Sequence, residues 1–131
     1  MNVEAKKAIL LVDDDPLVLA SLTKLLEKAG YVVHAYQDSR HAIQDAMTED
    51  FDLVVTDVRM PHVDGVQAIR YIREIRLQNN KPLVPEVIIT GYAQEYESAA
   101  GELKVAGFLY KPFHPGEFLD VIVKALADKK A

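Results

Sequence analysis

The chain has 131 residues, half of them hydrophobic and about a quarter charged, which is typical of one soluble globular domain. Its net charge of −5 argues against non-specific nucleic-acid binding, which requires a basic surface. The absence of cysteine excludes disulfides and thiolate metal sites, and no apolar run approaches the roughly 20 residues of a membrane span. We expect a single cytoplasmic domain, 1–131 with its core from about 8 to 127, that binds neither nucleic acid nor membrane.

Five short runs rich in apolar and β-branched residues predict the strands of a parallel sheet. Strands that are covered on both faces read as continuous hydrophobic segments rather than as an alternating pattern. The second run is more polar than the others, which favours a place nearer the edge of the sheet. The predicted strands are Ala8–Val12, 31–36, 53–57, Glu86–Thr90 and Gly107–Tyr110.

Segments with apolar residues at helical spacing follow each predicted strand. We expect Asp15 to cap the first helix, Asp38 or Ser39 to cap the second, and the third to begin after Gly65. The fourth, 93–105, is the weakest because a glycine interrupts its thin apolar face. Residues expected to face the core are Leu19, Leu22, Leu25, Leu26 and Ala29, then Ala42, Ile43, Ala46 and Met47, then Val66, Ile69, Ile72 and Ile75, and finally Phe118, Leu119, Ile122, Ala125 and Leu126.

The alternation of strands and helices predicts an α/β fold, a doubly wound five-stranded parallel sheet with helices on both faces. The stretch 77–85 has two prolines and two asparagines, so we predict a loop there. We expect Arg70, Arg73 and Arg76, on the third helix, to form a solvated face.

Polar residues that could act chemically stand where the predicted strands end. Asp13 and Asp14 follow the first strand, Asp57 ends the third, Thr90 ends the fourth and Lys111 follows the fifth. The carboxyl ends of parallel strands share one edge of the sheet, so these residues should converge where open α/β sheets bind ligands. Asp57 alone could be interpreted as a helix cap, but helix capping does not explain all five of these residues.

Three carboxylates in one crevice require a cation, because unpaired buried carboxylates cost several kcal/mol each. Oxygen ligands suit Mg²⁺, which also binds phosphate oxygens. Lys111 and Thr90 could bind further oxygens of a phosphoryl group, while Asp57 could act as the nucleophile and form an aspartyl phosphate. The constellation therefore predicts Mg²⁺-dependent phosphoryl transfer.

Four motifs carry a resemblance to a known family: they read VDDDP, TDVRMPHVDG, ITGY and YKPF. Together they resemble the motif regions of receiver domains of two-component response regulators, over about residues 8–126. The resemblance implies a flavodoxin-like, chemotaxis-regulator-like (βα)5 fold with strand order 2-1-3-4-5. It also implies that the protein takes a phosphoryl group from a sensor histidine kinase or a histidine phosphotransfer protein, and that it is not an enzyme apart from catalysing its own phosphorylation and dephosphorylation.

The resemblance also implies roles for single residues. Asp57 would be the phosphoacceptor and a metal ligand, Asp14 a direct Mg²⁺ ligand, and Asp13 a ligand acting mostly through water. The backbone carbonyl of Arg59 would be a further ligand. Arg59 and Tyr92 would flank the phosphoryl group, and we hypothesise that their bulk obstructs the attacking water and prolongs the life of the aspartyl phosphate.

A switch is implied as well. Thr90 and Lys111 would grip the phosphoryl group, and the bond between Lys111 and Pro112 would be cis. Movement of Thr90 would let Phe108 change rotamer, although Phe108 could equally be a plain core aromatic. The face formed by the fourth predicted helix, the fifth strand and the last helix would then contact a downstream output domain or protein partner, or form a phosphorylation-dependent dimer.

Two alternatives compete with this interpretation. One is a receiver-like protein-interaction module that ignores phosphorylation, which the intact Asp57, Thr90 and Lys111 argue against. The other is a Mg²⁺-dependent phosphatase, disfavoured because such enzymes usually carry an acid two residues after the nucleophile, where this chain has Arg59.

A dinucleotide site is excluded because the first turn is acidic and lacks GxGxxG. The histidines lack metal-ligand spacing and are interpreted as structural or exposed: His34, His41, His62 and His114.

Overall fold

The computed structural model of the protein describes residues 5–91 and 103–128, which form five strands and four helices. The strands are β1 (Ala8–Val12), β2 (Val32–Tyr36), β3 (Leu53–Asp57), β4 (Glu86–Thr90) and β5 (Gly107–Tyr110). The helices are α1 (Pro16–Lys28), α2 (Ser39–Asp45), α3 (Gly65–Gln78) and α4 (Pro115–Ala127). The helix predicted for 93–105 falls mostly on residues outside those described. Within the described ranges, no helix is both long and apolar enough to cross a membrane.

The five strands form one parallel sheet in the order β2-β1-β3-β4-β5. Within the sheet, Leu11 of β1 pairs with Ala35 of β2 on one side and with Val55 of β3 on the other. The predicted strand order is therefore confirmed, and the more polar second strand is at an edge as expected. Parallel pairing brings the carboxyl ends of all five strands to the same side of the molecule.

The sheet has a hydrophobic core on each face, because side chains alternate along each strand. One core joins alternate strand residues to α1 and α4, and the other joins the intervening residues to α2 and α3, as expected for a doubly wound fold. The first contains Ile9, Leu11, Leu22, Leu26, Leu53, Val55, Val87, Ile89, Phe118, Ile122 and Ala125. The second contains Leu10, Val12, Ala42, Ala46, Phe51, Val54, Ile72 and Val84.

Aspartates begin three of the four described helices. Asp15 accepts hydrogen bonds from the amides of Leu17 and Val18, which confirms its predicted capping role. Asp38, rather than Ser39, caps α2, and Asp64 forms a reciprocal capping box at α3. Of the two residues predicted as possible caps of the second helix, Ser39 therefore does not perform that role.

The predicted solvated face of α3 is wrong for Arg73. Its guanidinium donates two hydrogen bonds to Glu86, at 2.7 Å and 2.8 Å, and a third to the carbonyl oxygen of Leu103 at 2.7 Å. Glu86, the first residue of β4, is only 3% exposed, so its carboxylate requires a counter-charge inside the domain. The bonds to Glu86 raise the pKa of Arg73 above its usual value, with burial opposing them.

The prediction is also wrong for Arg76, which is 5% exposed. Its guanidinium lies 4.9 Å from the ring centroid of Phe51, and its Nε donates to the carbonyl oxygen of Pro82 at 2.6 Å. The long side chains of Arg73 and Arg76 reach past the apolar stripe of α3 to the start of β4 and to the residues just before β3 and β4. Of the three arginines only Arg70 is exposed, as predicted.

Smaller differences concern the ends of the elements. The second strand begins one residue later than predicted, at Val32, and α3 continues to Gln78, so the loop before β4 starts later. Met47 is 57% exposed because α2 ends at Asp45, and Ala29 is an exposed C-cap rather than a core residue. The other inward-facing residues expected in the described helices are buried or half-buried, as predicted.

Candidate functional site

The carboxyl edge of the sheet brings together acids that are far apart in sequence. Asp13 follows β1 directly and Asp57 is the last residue of β3, which pairs with β1. One carboxylate oxygen from each of Asp13, Asp14 and Asp57 lies within 4.8 Å of the other two. The predicted convergence of these three acids is therefore present in the fold.

Lys111, which follows β5, reaches into this acidic cluster. Its Nζ donates to Asp57 Oδ2 at 2.7 Å and to Asp13 Oδ2 at 3.1 Å, across 54 and 98 residues of sequence. The Lys111–Pro112 peptide bond is cis, as expected. The lysine thus links two carboxylates that come from neighbouring strands.

Burial and charge act in opposite directions within the cluster. Asp13 is 1% exposed and Asp57 8%, whereas Asp14 is exposed at the mouth of the site. Burial raises the pKa of Asp13, although a 3.0 Å hydrogen bond from the amide of Asp15 and the charge of Lys111 oppose this effect. Burial also tends to lower the pKa of Lys111, but its bonds to Asp57 and the charge of Asp13 outweigh burial and raise it. Lys111 is therefore an ammonium ion at neutral pH.

The donor set suits Mg²⁺. Three carboxylates whose oxygens lie within 4.8 Å of one another can share one small cation, and carboxylate oxygen is the ligand type that Mg²⁺ prefers. The exposure of Asp14 leaves one side of the cluster open to water and to substrate oxygens. Arg59, whose carbonyl is the predicted fourth protein ligand, is exposed in the loop that follows Asp57. Tyr92, its predicted companion beside the phosphoryl group, is outside the described residues.

Two hydrogen bonds hold the backbone at Asp57 and Val58. Thr56 Oγ1 donates to the carbonyl oxygen of Asp57 at 2.9 Å, and the amide of Gly65 donates to the carbonyl oxygen of Val58 at 2.8 Å. A Cβ at Gly65 would overlap the Asp57 carbonyl oxygen, so α3 can start here only because this residue has no side chain. The sequence predicted a turn at Asp64-Gly65, but no sequence pattern indicates the close contact between Gly65 and the Asp57 carbonyl.

Thr90 and Phe108, the predicted switch residues, lie on neighbouring strands. Thr90 is fully buried at the end of β4, and its carbonyl oxygen accepts a 2.8 Å hydrogen bond from the amide of Lys111. Phe108 of β5 is opposite Ile88 of β4 and is 39% exposed. Phe108 is therefore not a fully buried core aromatic in this conformation.

A cleft of about 260 Å³ opens beside the acidic cluster. It is lined by Asp14, Gln37, Asp38, Pro61 and His62. His62 is exposed and has a left-handed backbone, with φ of 70°. Of the other histidines, His41 and His114 are exposed and His34 is half-buried, in line with the interpretation of all four as structural or exposed.

The 2-1-3-4-5 sheet, with acidic residues at its carboxyl edge, defines a flavodoxin-like α/β protein. A family model described as response regulator receiver domain matches residues 9–123. The chain belongs to this family.

Relatives of known sequence differ in length. The alkaline phosphatase synthesis transcriptional regulatory protein PhoP of Bacillus subtilis (strain 168) is 34% identical over 121 residues, which cover 92% of this chain and 48% of PhoP. The response regulator receiver protein CpdR of Brucella abortus (strain 2308) is 35% identical over 121 residues, which cover 92% of this chain and 97% of CpdR. The chain therefore spans about half the length of PhoP and nearly all of CpdR.

Solved structures share the fold. The receiver domain of sensor histidine kinase PA1611 from Pseudomonas aeruginosa PAO1 superposes with a TM-score of 0.81 at 28% identity, covering 95% of this chain and 100% of that one. That structure has a magnesium ion coordinated in its active-site cleft. The chemotaxis protein CheY4 of Vibrio cholerae superposes with a TM-score of 0.80 at 27% identity, covering 92% of this chain and 99% of that one.

Proposed function

We propose that this receiver domain accepts a phosphoryl group on Asp57 from a phosphohistidine of a sensor histidine kinase or a histidine phosphotransfer protein. The observation that carries the proposal is the position of Lys111, whose ammonium lies 2.7 Å from Asp57 and 3.1 Å from Asp13. It puts a fixed positive charge beside the predicted nucleophile. A carboxylate that only began a helix would require neither this lysine nor two further acids.

The transfer can be written from the groups at the sheet edge. A carboxylate oxygen of Asp57 forms a bond to phosphorus while the phosphorus–nitrogen bond of the donor breaks, and the electron pair remains on the donor imidazole. Mg²⁺ held by Asp13, Asp14 and Asp57, with the Arg59 carbonyl as a further ligand, would supply positive charge that neutralises the phosphoryl oxygens. Catalysis is limited to the protein's own phosphorylation and dephosphorylation.

Lys111 and Thr90 bind the remaining phosphoryl oxygens in this proposal. Lys111 already lies beside the accepting carboxylate, so its ammonium can bind an oxygen of the group that arrives there. Thr90 is on the adjacent strand β4, since Asp57 of β3 pairs with Ile89. Its hydroxyl can donate a hydrogen bond to a phosphoryl oxygen.

The signal passes from Thr90 to β5. Displacement of Thr90 towards the phosphoryl group would open a space beside the neighbouring strand β5. The half-exposed ring of Phe108 on β5 can rotate into that space. Phosphorylation would thus shift a population between two conformations of the face that includes β5 and α4. That face would contact an output domain or protein partner in the cytoplasm, or form a dimer when the protein is phosphorylated.

The test is the intact mass of the protein after incubation with acetyl phosphate, in Mg²⁺ and in EDTA. We expect wild type to gain one phosphoryl group only with Mg²⁺, and Asp57→Asn to gain none. Asp120→Asn, which changes an exposed acid of α4, serves as the matched control and should behave as wild type. If wild type gains nothing under any condition, the proposal fails, and the phosphorylation-independent interaction module replaces it.

A further inference from the structure

We infer that Ser39 is a positioning residue that holds the active-site cleft at its working width. Ser39 is 1% exposed, and its Oγ donates a 2.5 Å hydrogen bond to the carbonyl oxygen of Val63, 24 residues away. Asp38 caps α2, so the Ser39 hydroxyl is available to make the long-range contact with Val63. The inference rests on the proposed phosphoryl-accepting function and concerns how that site is held.

The bond joins the two walls of the cleft beside Asp14. One wall is the turn after β2, with Gln37 and Asp38, and the other is the loop after β3, with Pro61 and His62. Ser39 directly follows the first wall, and Val63 directly follows the second. This hydrogen bond therefore links the two segments beside the opening through which the phosphoryl donor and Mg²⁺ would enter.

The backbone of the loop after β3 has a conformation that contacts with other segments must hold in place. His62 has a φ of 70°, and the amide of Val63 donates to the carbonyl oxygen of Pro61 at 2.9 Å, which closes a tight turn. A non-glycine residue in the left-handed region persists only where its surroundings hold it. The same loop carries Arg59, whose carbonyl is the proposed metal ligand, so relaxation of the turn would reach the metal site.

Loss of the hydroxyl should weaken binding rather than chemistry. In Ser39→Ala the nucleophile, lysine and acids all remain, so the maximal phosphorylation rate at saturating Mg²⁺ and acetyl phosphate should stay near that of wild type. Only part of the net contribution of one hydrogen bond would be lost, and only from the bound state. We expect the dissociation constant for Mg²⁺ and the half-saturating acetyl phosphate concentration to rise about two- to five-fold.

The experiment compares wild type, Ser39→Ala and Thr23→Val. Thr23 is the matched control because its Oγ1 also donates to a backbone carbonyl, that of Leu19 at 2.7 Å, but in α1 and away from the cleft. Titration calorimetry with Mg²⁺ alone gives the metal affinity without any phosphodonor. Intact mass over an acetyl phosphate series gives the half-saturating concentration and the maximal rate.

Weaker Mg²⁺ binding in Ser39→Ala, with Thr23→Val unchanged, supports the positioning role. A Ser39→Ala protein that binds Mg²⁺ and reaches half-saturation like wild type overturns the positioning role. An equal loss of Mg²⁺ affinity in Ser39→Ala and Thr23→Val also overturns it, because it would indicate general destabilisation. The Asp57→Asn experiment separates the two proposals. If wild type accepts no phosphoryl group the proposed function fails by itself, while the calorimetric comparison still decides the role of Ser39.

Discussion

Gly65 packs its Cα directly against the backbone carbonyl of Asp57, where α3 begins beside the end of β3. A Cβ at Gly65 would overlap the Asp57 carbonyl oxygen and lie 3.0 Å from the Cα of Val58. The obstructing atoms are backbone, so no side chain can turn aside to make room. The start of α3 and the position of the candidate nucleophile are therefore set by the same contact.

Substitution Gly65→Ala should accordingly damage both stability and phosphorylation. We expect a loss of about 1–3 kcal/mol in the free energy of unfolding, because the added methyl forces a backbone shift. Urea unfolding measures this loss, and intact mass with acetyl phosphate measures the effect on Asp57. Gly116→Ala is the control, since a Cβ at that position of α4 meets nothing within 4 Å. Equal unfolding midpoints for Gly65→Ala and wild type would contradict the contact.

Much of this site could be predicted because it depends on the order of elements rather than on details of packing. Continuous apolar runs indicate parallel strands, parallel strands align their carboxyl ends, and Asp13, Asp57 and Lys111 each stand at such an end. Residues 98 positions apart could thus be expected to meet. The cap at Asp15 could also be predicted, and Asp38 was one of two candidates for the second, since capping involves only the next few residues.

Other contacts depend on side-chain reach between elements, which periodicity does not encode. Arg73 contacts Glu86 across the crossover from α3 to β4, and the apolar pattern of α3 gives no indication of it. Glu86 at the start of an apolar strand was the available signal, because a buried carboxylate requires a cation. Ser39 could be expected to cap a helix, but its contact with Val63 depends on how closely two loops approach.

The Arg73–Glu86 pair gives the second prediction. Arg73→Met removes the guanidinium that pairs with the buried carboxylate of Glu86, and breaking such a pair costs about 3–5 kcal/mol. We expect the lower end of that range, because the Arg73 side chain is 23% exposed and water can reach the gap. Urea unfolding checks the value.

Two further variants make that test specific. Arg73→Met/Glu86→Met removes both charges and should recover at least half of the loss. Lys81→Met breaks the exposed pair with Asp50, whose acid is 86% exposed, and should shift the midpoint far less. A loss in Arg73→Met no greater than in Lys81→Met would show that the buried pair has no special weight.

Tyr36 supplies a prediction about pH. Burial and a 2.6 Å hydrogen bond to Asp45 raise the pKa of Tyr36 above its usual 10.0. The folded state therefore keeps the phenolic proton at a pH where the unfolded chain has lost it, so this contribution to stability is complete below pH 10 and is lost as the pH rises above that value. Tyr36→Phe removes it.

We expect wild type to exceed Tyr36→Phe by about 1 kcal/mol in the free energy of unfolding at neutral pH. The difference should shrink as the pH is raised above 10. Tyr71→Phe, at a position that is 50% exposed on α3, is the control and should show little difference at either pH. Denaturant unfolding at neutral pH and at a pH above 10 measures this difference between wild type and Tyr36→Phe. A difference that grows with pH would contradict the hydrogen bond from Tyr36 to Asp45.

Lys111 and the acidic cluster give a prediction about metal dependence. Without Mg²⁺, the ammonium of Lys111 is the counter-charge for Asp13 and Asp57, so Lys111→Met should lower the free energy of unfolding by about 2 kcal/mol. The same lysine repels an incoming cation. Its removal should therefore tighten Mg²⁺ binding, although it removes a group needed to hold the phosphoryl oxygens.

Urea unfolding with and without Mg²⁺ separates these effects, because a ligand at about 100 times its dissociation constant adds about 2.7 kcal/mol to stability. At one fixed Mg²⁺ concentration, we expect a larger gain for Lys111→Met than for wild type, and the smallest for Asp57→Asn, which lacks one carboxylate. Lys124→Met, an exposed lysine of α4, should gain as much as wild type. If Lys111→Met gained no more than Lys124→Met, the lysine would not be competing with the metal, and the two cations would have to occupy separate parts of the cluster.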